Sequence, residues 1–164
     1  MVRKLSVSGS DEIRIVPFDP AYAGDFARLN YEWIERDYGV EDHDREVLDH
    51  PFESVIKPGG EIFFALDGGS AIGTVAMILM ESGSFELAKM AVDPAYRGRG
   101  IGDLLMNACI GHASQTGAPS IILESNTRQV VALRMYRKFG FIEIPLDPNS
   151  LFARANIRME LAIT

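Results

Sequence analysis

Residues 92–102 read Val92-Asp93-Pro94-Ala95-Tyr96-Arg97-Gly98-Arg99-Gly100-Ile101-Gly102, and this stretch separates two different hydrophobic patterns. The run from Phe85 to Val92 before it is typical of a strand, and the pattern from Ile101 to Thr116 after it is typical of an amphipathic helix. Glycines between a strand and a helix N-terminus leave backbone N–H groups free to face outward, which favours an anion and above all a phosphate. Because Arg97 and Arg99 add positive charge, the sequence predicts a phosphate-bearing ligand held here by the main chain.

The patterns on both sides of this glycine loop predict one α/β domain with a mixed sheet. Upstream, apolar runs over 62–66, 71–80 and 85–92 predict an antiparallel meander, and Gly73 within it indicates a bulge or a close approach. Downstream, the strand over 120–124 should lie parallel to its predecessor, because a helix connects the two. The remaining predicted elements are a strand over 13–16, a helix ending near Asp37, helices over 44–50 and 128–139, and closing strands over 141–144 and 156–163.

Composition places the chain among ordinary globular proteins. Its 164 residues are 47% hydrophobic and 24% charged, and no apolar run reaches the length of about 18–20 residues that a membrane span needs. We expect residues 1–10 to form a flexible leader and residues 11–164 to form a single domain. A lone cysteine, Cys109, excludes an internal disulfide and is interpreted as a packing residue, so the cytoplasm is the expected compartment.

The net charge of −7 argues against nucleic acid as a partner. The charge is uneven, since residues 32–46 hold seven acidic side chains against two arginines. This acidic stretch favours a cationic ligand, although a solvated surface explains most such side chains equally well. The three histidines have no metal-ligand spacing, so we expect no metal site.

Two common phosphate motifs do not fit the glycine loop. The P-loop lysine is absent, which disfavours a nucleotide-binding domain, and Asp103 occupies the third glycine position of the dinucleotide fingerprint. What remains is Arg97-x-x-Gly100-x-Gly102, and residues 86–102 around it resemble motif A of the GCN5-related N-acetyltransferases (GNAT). A second block resembles the family's motif B: Leu123-Glu124-Ser125-Asn126, then Ala132, then Tyr136 to Phe141. The chain is therefore identified as a member of this family.

The resemblance implies a fold and a reaction. The fold is a mixed, mostly antiparallel central sheet of six or seven strands with a splayed parallel pair, flanked by about four helices. The reaction transfers an acetyl group from acetyl-CoA, the cosubstrate, to a primary amine of a small molecule or peptide, by direct attack in a ternary complex. The acidic stretch favours a cationic amine, family members often form homodimers, and neither nucleic acid nor a membrane is an expected partner.

The resemblance also implies which residues bind acetyl-CoA. The pyrophosphate would meet the loop amides with the two arginines, and the pantetheine arm would pair with main chain at the end of the strand before the loop. One departure concerns an asparagine that many members place seven residues before the tyrosine: here that position holds Gln129, and Asn126 lies ten before it, so both are candidates. The candidates are Met90, Ala91, Val92, Arg97, Gly98, Arg99, Gly100, Ile101, Gly102, Asp103, Asn126, Gln129 and Tyr136.

For catalysis, the resemblance places Tyr136 at the general-acid position, where a phenol protonates the leaving thiolate; the alternative is a tyrosine that only packs on the cofactor. An amine must lose a proton before attack, and Glu86 is the first candidate base, with Glu124 second. Either carboxylate could instead form a structural ion pair, such as Glu86 with Lys89. The alternative function is a non-catalytic acyl-CoA sensor or interaction module, which needs the glycine loop but neither Tyr136 nor a carboxylate.

Overall fold

A computed structural model describes residues 12–164, and the predicted leader lies outside them. Seven strands form one sheet in the order β1-β2-β3-β4-β5-β7-β6, in which only β4 and β5 pair in parallel. The strands are β1 (Ile13–Pro17), β2 (Glu61–Asp67), β3 (Ser70–Leu79), β4 (Phe85–Val92), β5 (Ser120–Ser125), β6 (Ile142–Ile144) and β7 (Ile157–Ala162). The helices are α1 (Ala23–Asp37), α2 (Asp42–Asp49), α3 (Ile101–Thr116) and α4 (Val130–Phe139). The predicted mixed sheet with about four flanking helices is confirmed.

Hydrophobic side chains of the sheet pack on both faces. Ala65 belongs to the core that includes Leu105 and Cys109 of α3, whereas its neighbour Phe64 belongs to the core that includes Phe26 of α1. This alternation follows from the two-residue period of a strand. Cys109 is fully buried, and burial raises the pKa of its thiol, so its interpretation as a packing residue is confirmed.

Gly73 explains how closely α3 lies against the sheet. A Cβ atom at Gly73 would lie 3.2 Å from Ile101 Cγ2 and 3.3 Å from Ala65 Cβ, so a side chain there would push the start of α3 away. The register of β3 also shifts between Thr74 and Ala76, one residue further along. Both a close approach and a bulge are therefore present near this glycine.

The parallel pair is splayed. β4 and β5 pair only at Phe85 with Ile121 and at Glu86 with Ile122, and beyond these positions the strands separate. On its other side β4 is bulged, because Thr74 pairs with Ala91 while Ala76 pairs with Ala88. Two residues of β4, Lys89 and Met90, therefore lie opposite one residue of β3, and the edge of β4 that faces β5 is left open.

Element boundaries differ from the prediction at two places. The turn before α4 is longer than expected, because Asn126 accepts hydrogen bonds from the N–H groups of Arg128 and Gln129 and delays the helix to Val130. The helix predicted over 44–50 is α2, which begins at Asp42, and helical structure continues past its end: a π-helical turn, Phe52–Ile56, follows Pro51 directly, since proline is tolerated at the start of a helical turn. No helix within residues 12–164 has the length and apolarity to cross a membrane.

Candidate active site

A groove of about 690 Å³ lies where β4 and β5 diverge. Its walls come from the C-terminal end of α1, the open edge of β4, the glycine loop, the start of α4 and residues 152–155. The glycine loop and the second block of sequence therefore border one cavity, although nearly 40 residues separate Arg97 from Tyr136 along the chain.

The glycine loop leaves the first turn of α3 without a side-chain cap. Gly98 and Gly100 have φ angles of 77° and 78°, a left-handed conformation that glycine adopts without steric cost. Gly100 is the N-cap of α3, and among residues 12–164 no side chain accepts a hydrogen bond from the first-turn amides. Uncapped amides at the positive end of a helix dipole are a binding site for an anion.

Neighbouring side chains fix the loop and balance its charge. The Tyr96 hydroxyl donates to Asp67 Oδ2 at 2.5 Å, and the Arg99 guanidinium lies 4.9 Å from the centre of the Tyr96 ring. Asp103, the acidic residue in the first turn of α3, forms an ion pair at 2.5 Å with Lys138. The Asp103 charge is therefore partly offset by a nearby cation.

We predict that Gly100→Ala weakens binding of acetyl-CoA, the cosubstrate that the sequence resemblance implies, about tenfold, because alanine in the left-handed region costs about 1–2 kcal/mol and the loop relaxes away from it. Gly100 has open space around it, so strain and not a clash causes the effect. Calorimetric titration with acetyl-CoA measures it. Gly111→Ala is the matched control: Gly111 lies in the same helix, has open space and lacks a positive φ, so its affinity should equal that of the wild type. Equal affinities for both variants and the wild type would contradict the prediction.

The end of β4 lies along the groove as the sequence predicts. Met90, Ala91 and Val92 line the cavity, yet Met90 and Val92 also pack against the core that includes Leu105 of α3, and Ala91 is buried. These residues can bury their side chains and still expose main-chain groups to the groove, because β5 no longer pairs with this part of β4. An extended ligand with amide groups can pair with such an open edge.

Tyr136 lies on α4 and is buried against the groove wall. Its side chain stacks at a tilt on Phe141, with 5.8 Å between ring centres, and Tyr136 is only 8% exposed. Within residues 12–164 its hydroxyl finds no hydrogen-bond partner, and burial raises the pKa of Tyr136 to about 12. The phenol therefore stays protonated at neutral pH, as a proton donor must.

Glu86 and Glu124 border the same groove from β4 and β5. Burial raises the pKa of Glu86, and the nearby Glu124 carboxylate raises it further, while Lys89 and Arg158 act in the opposite direction. Glu124 accepts a hydrogen bond of 2.7 Å from Ser150 Oγ. The two carboxylates predicted from sequence are therefore near neighbours across the splayed strands.

The possible Glu86–Lys89 ion pair does not form. Lys89 Nζ instead donates to Asp44 Oδ1 at 2.5 Å, and Arg154 donates to both oxygens of Asp44 at 2.7 and 3.0 Å. Burial alone would raise the pKa of Asp44, but the hydrogen bonds from Arg154 and Lys89 hold it well below its usual range. We call Asp44, Lys89 and Arg154 the buried ion cluster. Sequence reasoning missed it, because 110 positions separate Asp44 from Arg154 and no local pattern links them.

The two amide candidates both join separate parts of the groove wall. Asn126 Nδ2 donates to the Arg154 carbonyl at 2.8 Å, and Gln129 Nε2 donates to the Tyr38 hydroxyl at 2.9 Å. Arg128 Nη2 also donates to the Asp37 carbonyl at 3.1 Å. The start of α4 is thus tied to the end of α1 across the groove.

The acidic stretch divides into different environments. Glu32 and Asp37 line the groove, with Asp37 paired to Arg36, whereas Asp44 belongs to the buried ion cluster.

Two of the three histidines pack on aromatic rings: His43 packs on Phe152, and His112 packs between Phe63 and Phe85. Across the part of the chain that the structure describes, no group of three histidine, cysteine, aspartate or glutamate side chains is placed to hold a metal ion.

Comparison with known proteins identifies the family. The model of the acetyltransferase (GNAT) family matches residues 28–141, which is more than half of the chain. The chain belongs to the GNAT acetyltransferase family. The matched region contains the glycine loop, Glu86, Glu124 and Tyr136, so the family prediction made from the two sequence blocks is confirmed.

Curated relatives include acetyltransferases. An uncharacterised N-acetyltransferase of Schizosaccharomyces pombe is 30% identical over 74% of this GNAT chain and 77% of its own length. The IAA acetyltransferase of Azospirillum brasilense is 30% identical over 61% of this chain and 70% of its own length. A Mycobacterium leprae protein is 42% identical over 39% of this chain, but that match spans only 17% of the relative. At the level of the family, the prediction of an N-acetyltransferase is confirmed.

Solved structures share the fold at low sequence identity. A GNAT-family acetyltransferase from Staphylococcus aureus superposes with a TM-score of 0.83 at 19% identity, covering 93% of this chain and all of the other. An acetyltransferase from Salmonella typhimurium, solved with its cofactor acetyl-CoA, has a TM-score of 0.72 at 17% identity, covering 93% and 94%. Family and fold together support acetyl-CoA as the cosubstrate, and the uncapped α3 amides and open β4 edge fit its pyrophosphate and amide groups.

Proposed function

We propose that this chain transfers the acetyl group of acetyl-CoA to a primary amine by direct attack in a ternary complex. One observation carries the proposal: the uncapped α3 amides, the open β4 edge, a buried neutral phenol and a desolvated carboxylate all border one groove. The first two provide binding groups for a phosphorylated amide-containing cosubstrate. The other two provide an acid and a base for acyl transfer.

In the proposed reaction, the amine nitrogen bonds to the acetyl carbon and the carbon–sulfur bond breaks. Glu86 accepts one proton from the ammonium, directly or through water, so that the neutral amine attacks. Tyr136 donates its proton to the departing thiolate, and the second proton that the nitrogen loses as the amide forms restores the phenol. A main-chain N–H of Met90, Ala91 or Val92 stabilises the oxyanion that forms on the way, an effect typically worth about 2.7–4 kcal/mol per donor. In this proposal the amides of residues 98–103, including Gly100 and Asp103, hold the pyrophosphate, and Arg97 and Arg99 add positive charge.

Burial suits both groups to these roles. A base works best when its pKa approaches the operating pH, and burial moves the pKa of Glu86 upward in that direction. The thiolate must be protonated by a group that is still protonated at neutral pH, and burial keeps Tyr136 in that state. Glu124 is the second candidate for the base, and Asn126 and Gln129 are the candidates for holding the pantetheine or acetyl region.

For the acceptor we propose a cationic amine. Glu32, Glu86 and Glu124 all line the groove, and none of the three has an ion-pair partner within 4.0 Å among residues 12–164. Structural neighbours include a ribosomal-protein-S18-alanine N-acetyltransferase, and curated relatives include an IAA acetyltransferase, so peptide and small-molecule acceptors both belong in a screen. Cytoplasmic location, homodimer formation and the absence of nucleic-acid and membrane partners stay predictions.

Release of free CoA thiol in the presence of a panel of amines tests the proposal. The panel should contain polyamines, amino acids, peptides with free N-termini and lysine-containing peptides, each with an acetylated version as its control. We expect thiol release with at least one free amine and none with its acetylated version. Tight acetyl-CoA binding without thiol release for any amine would favour the sensor function instead.

A further prediction concerns Glu86→Gln. If Glu86 is the base, this variant should lose about 10²–10⁴-fold in kcat. In the wild type, kcat/KM should rise with pH through the elevated pKa of Glu86, because only the carboxylate accepts a proton, and the variant should lose this limb of the profile. Glu124→Gln is the matched control at the neighbouring carboxylate. If Glu124→Gln instead loses kcat and this limb of the pH profile while Glu86→Gln keeps both, Glu124 is the base.

A further inference from the structure

Lys89 adopts a backbone conformation that lysine rarely takes. Its φ angle is +54°, and among residues 12–164 no other non-glycine residue has a positive φ. The left-handed region costs an L-residue with a Cβ atom about 1–2 kcal/mol. Such strain persists only where the surrounding structure imposes it, and it clusters at functional sites.

The strain coincides with the bulge of β4. Lys89 and Met90 lie opposite the single residue Val75, at the point where β4 has already parted from β5. Both residues line the groove. The left-handed residue therefore sets the direction of the β4 main chain where we propose that it meets the thioester.

The end of the Lys89 side chain is held by two elements outside β4. It is only 5% exposed, and its ammonium donates to the fully buried Asp44 of α2. The ammonium also lies 4.5 Å from the centre of the Phe152 ring, whose residue belongs to the segment between β6 and β7. The ammonium is therefore in contact with α2 and with the segment between β6 and β7.

Stability alone does not explain the arrangement. A buried ion pair contributes little beyond what apolar residues of similar volume would contribute, because desolvation offsets the attraction between the charges. Asp44 also keeps other donors without Lys89: two hydrogen bonds from Arg154 and one from the Glu41 N–H at 2.9 Å. Lys89 is therefore dispensable for satisfying Asp44.

We propose that Lys89 is a positioning residue for acetyl transfer: anchored by Asp44, it holds β4 in the left-handed bulge that directs the strand's main chain into the groove. This inference rests on the proposed function for its effect on kcat. Its effect on acetyl-CoA binding is independent of any acceptor amine.

Two substitutions separate the bulge from the lysine charge. Lys89→Ala and Lys89→Gly both remove the ammonium, but only glycine adopts the left-handed conformation without cost. We expect Lys89→Gly to lose less in kcat and in acetyl-CoA affinity than Lys89→Ala does, because glycine lacks the anchor but adopts the left-handed conformation without steric cost. Lys89→Ala should lose about tenfold in kcat and bind acetyl-CoA more weakly, because the unanchored strand relaxes toward a regular extended conformation.

Calorimetry with acetyl-CoA and steady-state thiol release measure the two effects, with melting curves to confirm that each variant is folded. Should Lys89→Ala not fold, Lys89→Gln against Lys89→Asn gives the same contrast, since asparagine tolerates the left-handed region better than glutamine. Equal kcat and Kd values for the glycine and alanine variants overturn the inference, whether both are active or both impaired. If the wild type acetylates no amine, the proposed function fails, while the Kd values of the two variants still decide the role of Lys89.

Discussion

Tyr136→Phe should lower kcat by about 10²–10⁴-fold, the usual contribution of a positioned general acid, while leaving the acetyl-CoA Kd within about twofold. The phenylalanine keeps the stacking on Phe141 and the packing in the core that includes Leu105 of α3, so only the hydroxyl is lost. Without that proton donor, CoA must leave as an unprotonated thiolate. Steady-state thiol release gives kcat, and calorimetry gives the affinity.

Tyr31→Phe is the matched control for this prediction. The pKa of Tyr31 is also raised to about 12, by burial and by its hydrogen bond to Asp49, but Tyr31 does not line the groove. An unchanged kcat in Tyr31→Phe therefore shows that position and not an elevated pKa is responsible. An unchanged kcat in Tyr136→Phe would mean that Tyr136 only packs on the cosubstrate.

The glycine loop and the parallel pairing of β4 and β5 could be predicted because their causes are local in sequence, whereas the splaying of these strands was implied only by the family resemblance. Glycine at positions 98 and 100 permits the left-handed turns, and the change from strand to helix pattern around them fixes where the amides lie. The parallel pairing of β4 and β5 follows from the helix between them. Resemblance to motif B then indicated Tyr136, and the structure places this residue on the wall of the same groove.

The buried ion cluster could not be predicted, because its members meet only in the folded protein. Asp44 was interpreted as one of seven acids in a stretch that would attract a cation, and the cation that it contacts is Lys89 of the chain itself. Likewise, no sequence pattern signals that Gln129 reaches Tyr38, 91 positions away. A run of like charges in the sequence gives the sign of a region's net charge. Long-range packing decides which of these charges are neutralised and which face a ligand.

Asp44→Ala should lower the free energy of unfolding by about 3–5 kcal/mol, the usual effect of removing one partner of a buried ion pair. Lys89 and Arg154 would keep their positive charges in the interior, with Glu41 as the remaining carboxylate for Arg154 at 3.3 Å. Urea denaturation measures the change. Asp42→Ala is the matched control in the same helix, since Asp42 is fully exposed and solvent screens its pair with Arg45, so its loss should change stability far less.

The lowered pKa of Asp44 also predicts how the free energy of unfolding depends on pH. The folded-state pKa of Asp44 lies below the ordinary value of 3.8, so the unfolded chain binds a proton at this residue more readily than the folded chain. The stabilisation from Asp44 is therefore complete well above pH 4 and is lost as the pH falls below that value toward the folded pKa. Urea denaturation between pH 3 and pH 6 should show this loss in the wild type and a smaller one in Asp44→Asn, which cannot ionise. Parallel curves for the two proteins would mean that Asp44 has a similar pKa in the folded and unfolded chains, and that its hydrogen bonds from Lys89 and Arg154 do not stabilise the charge.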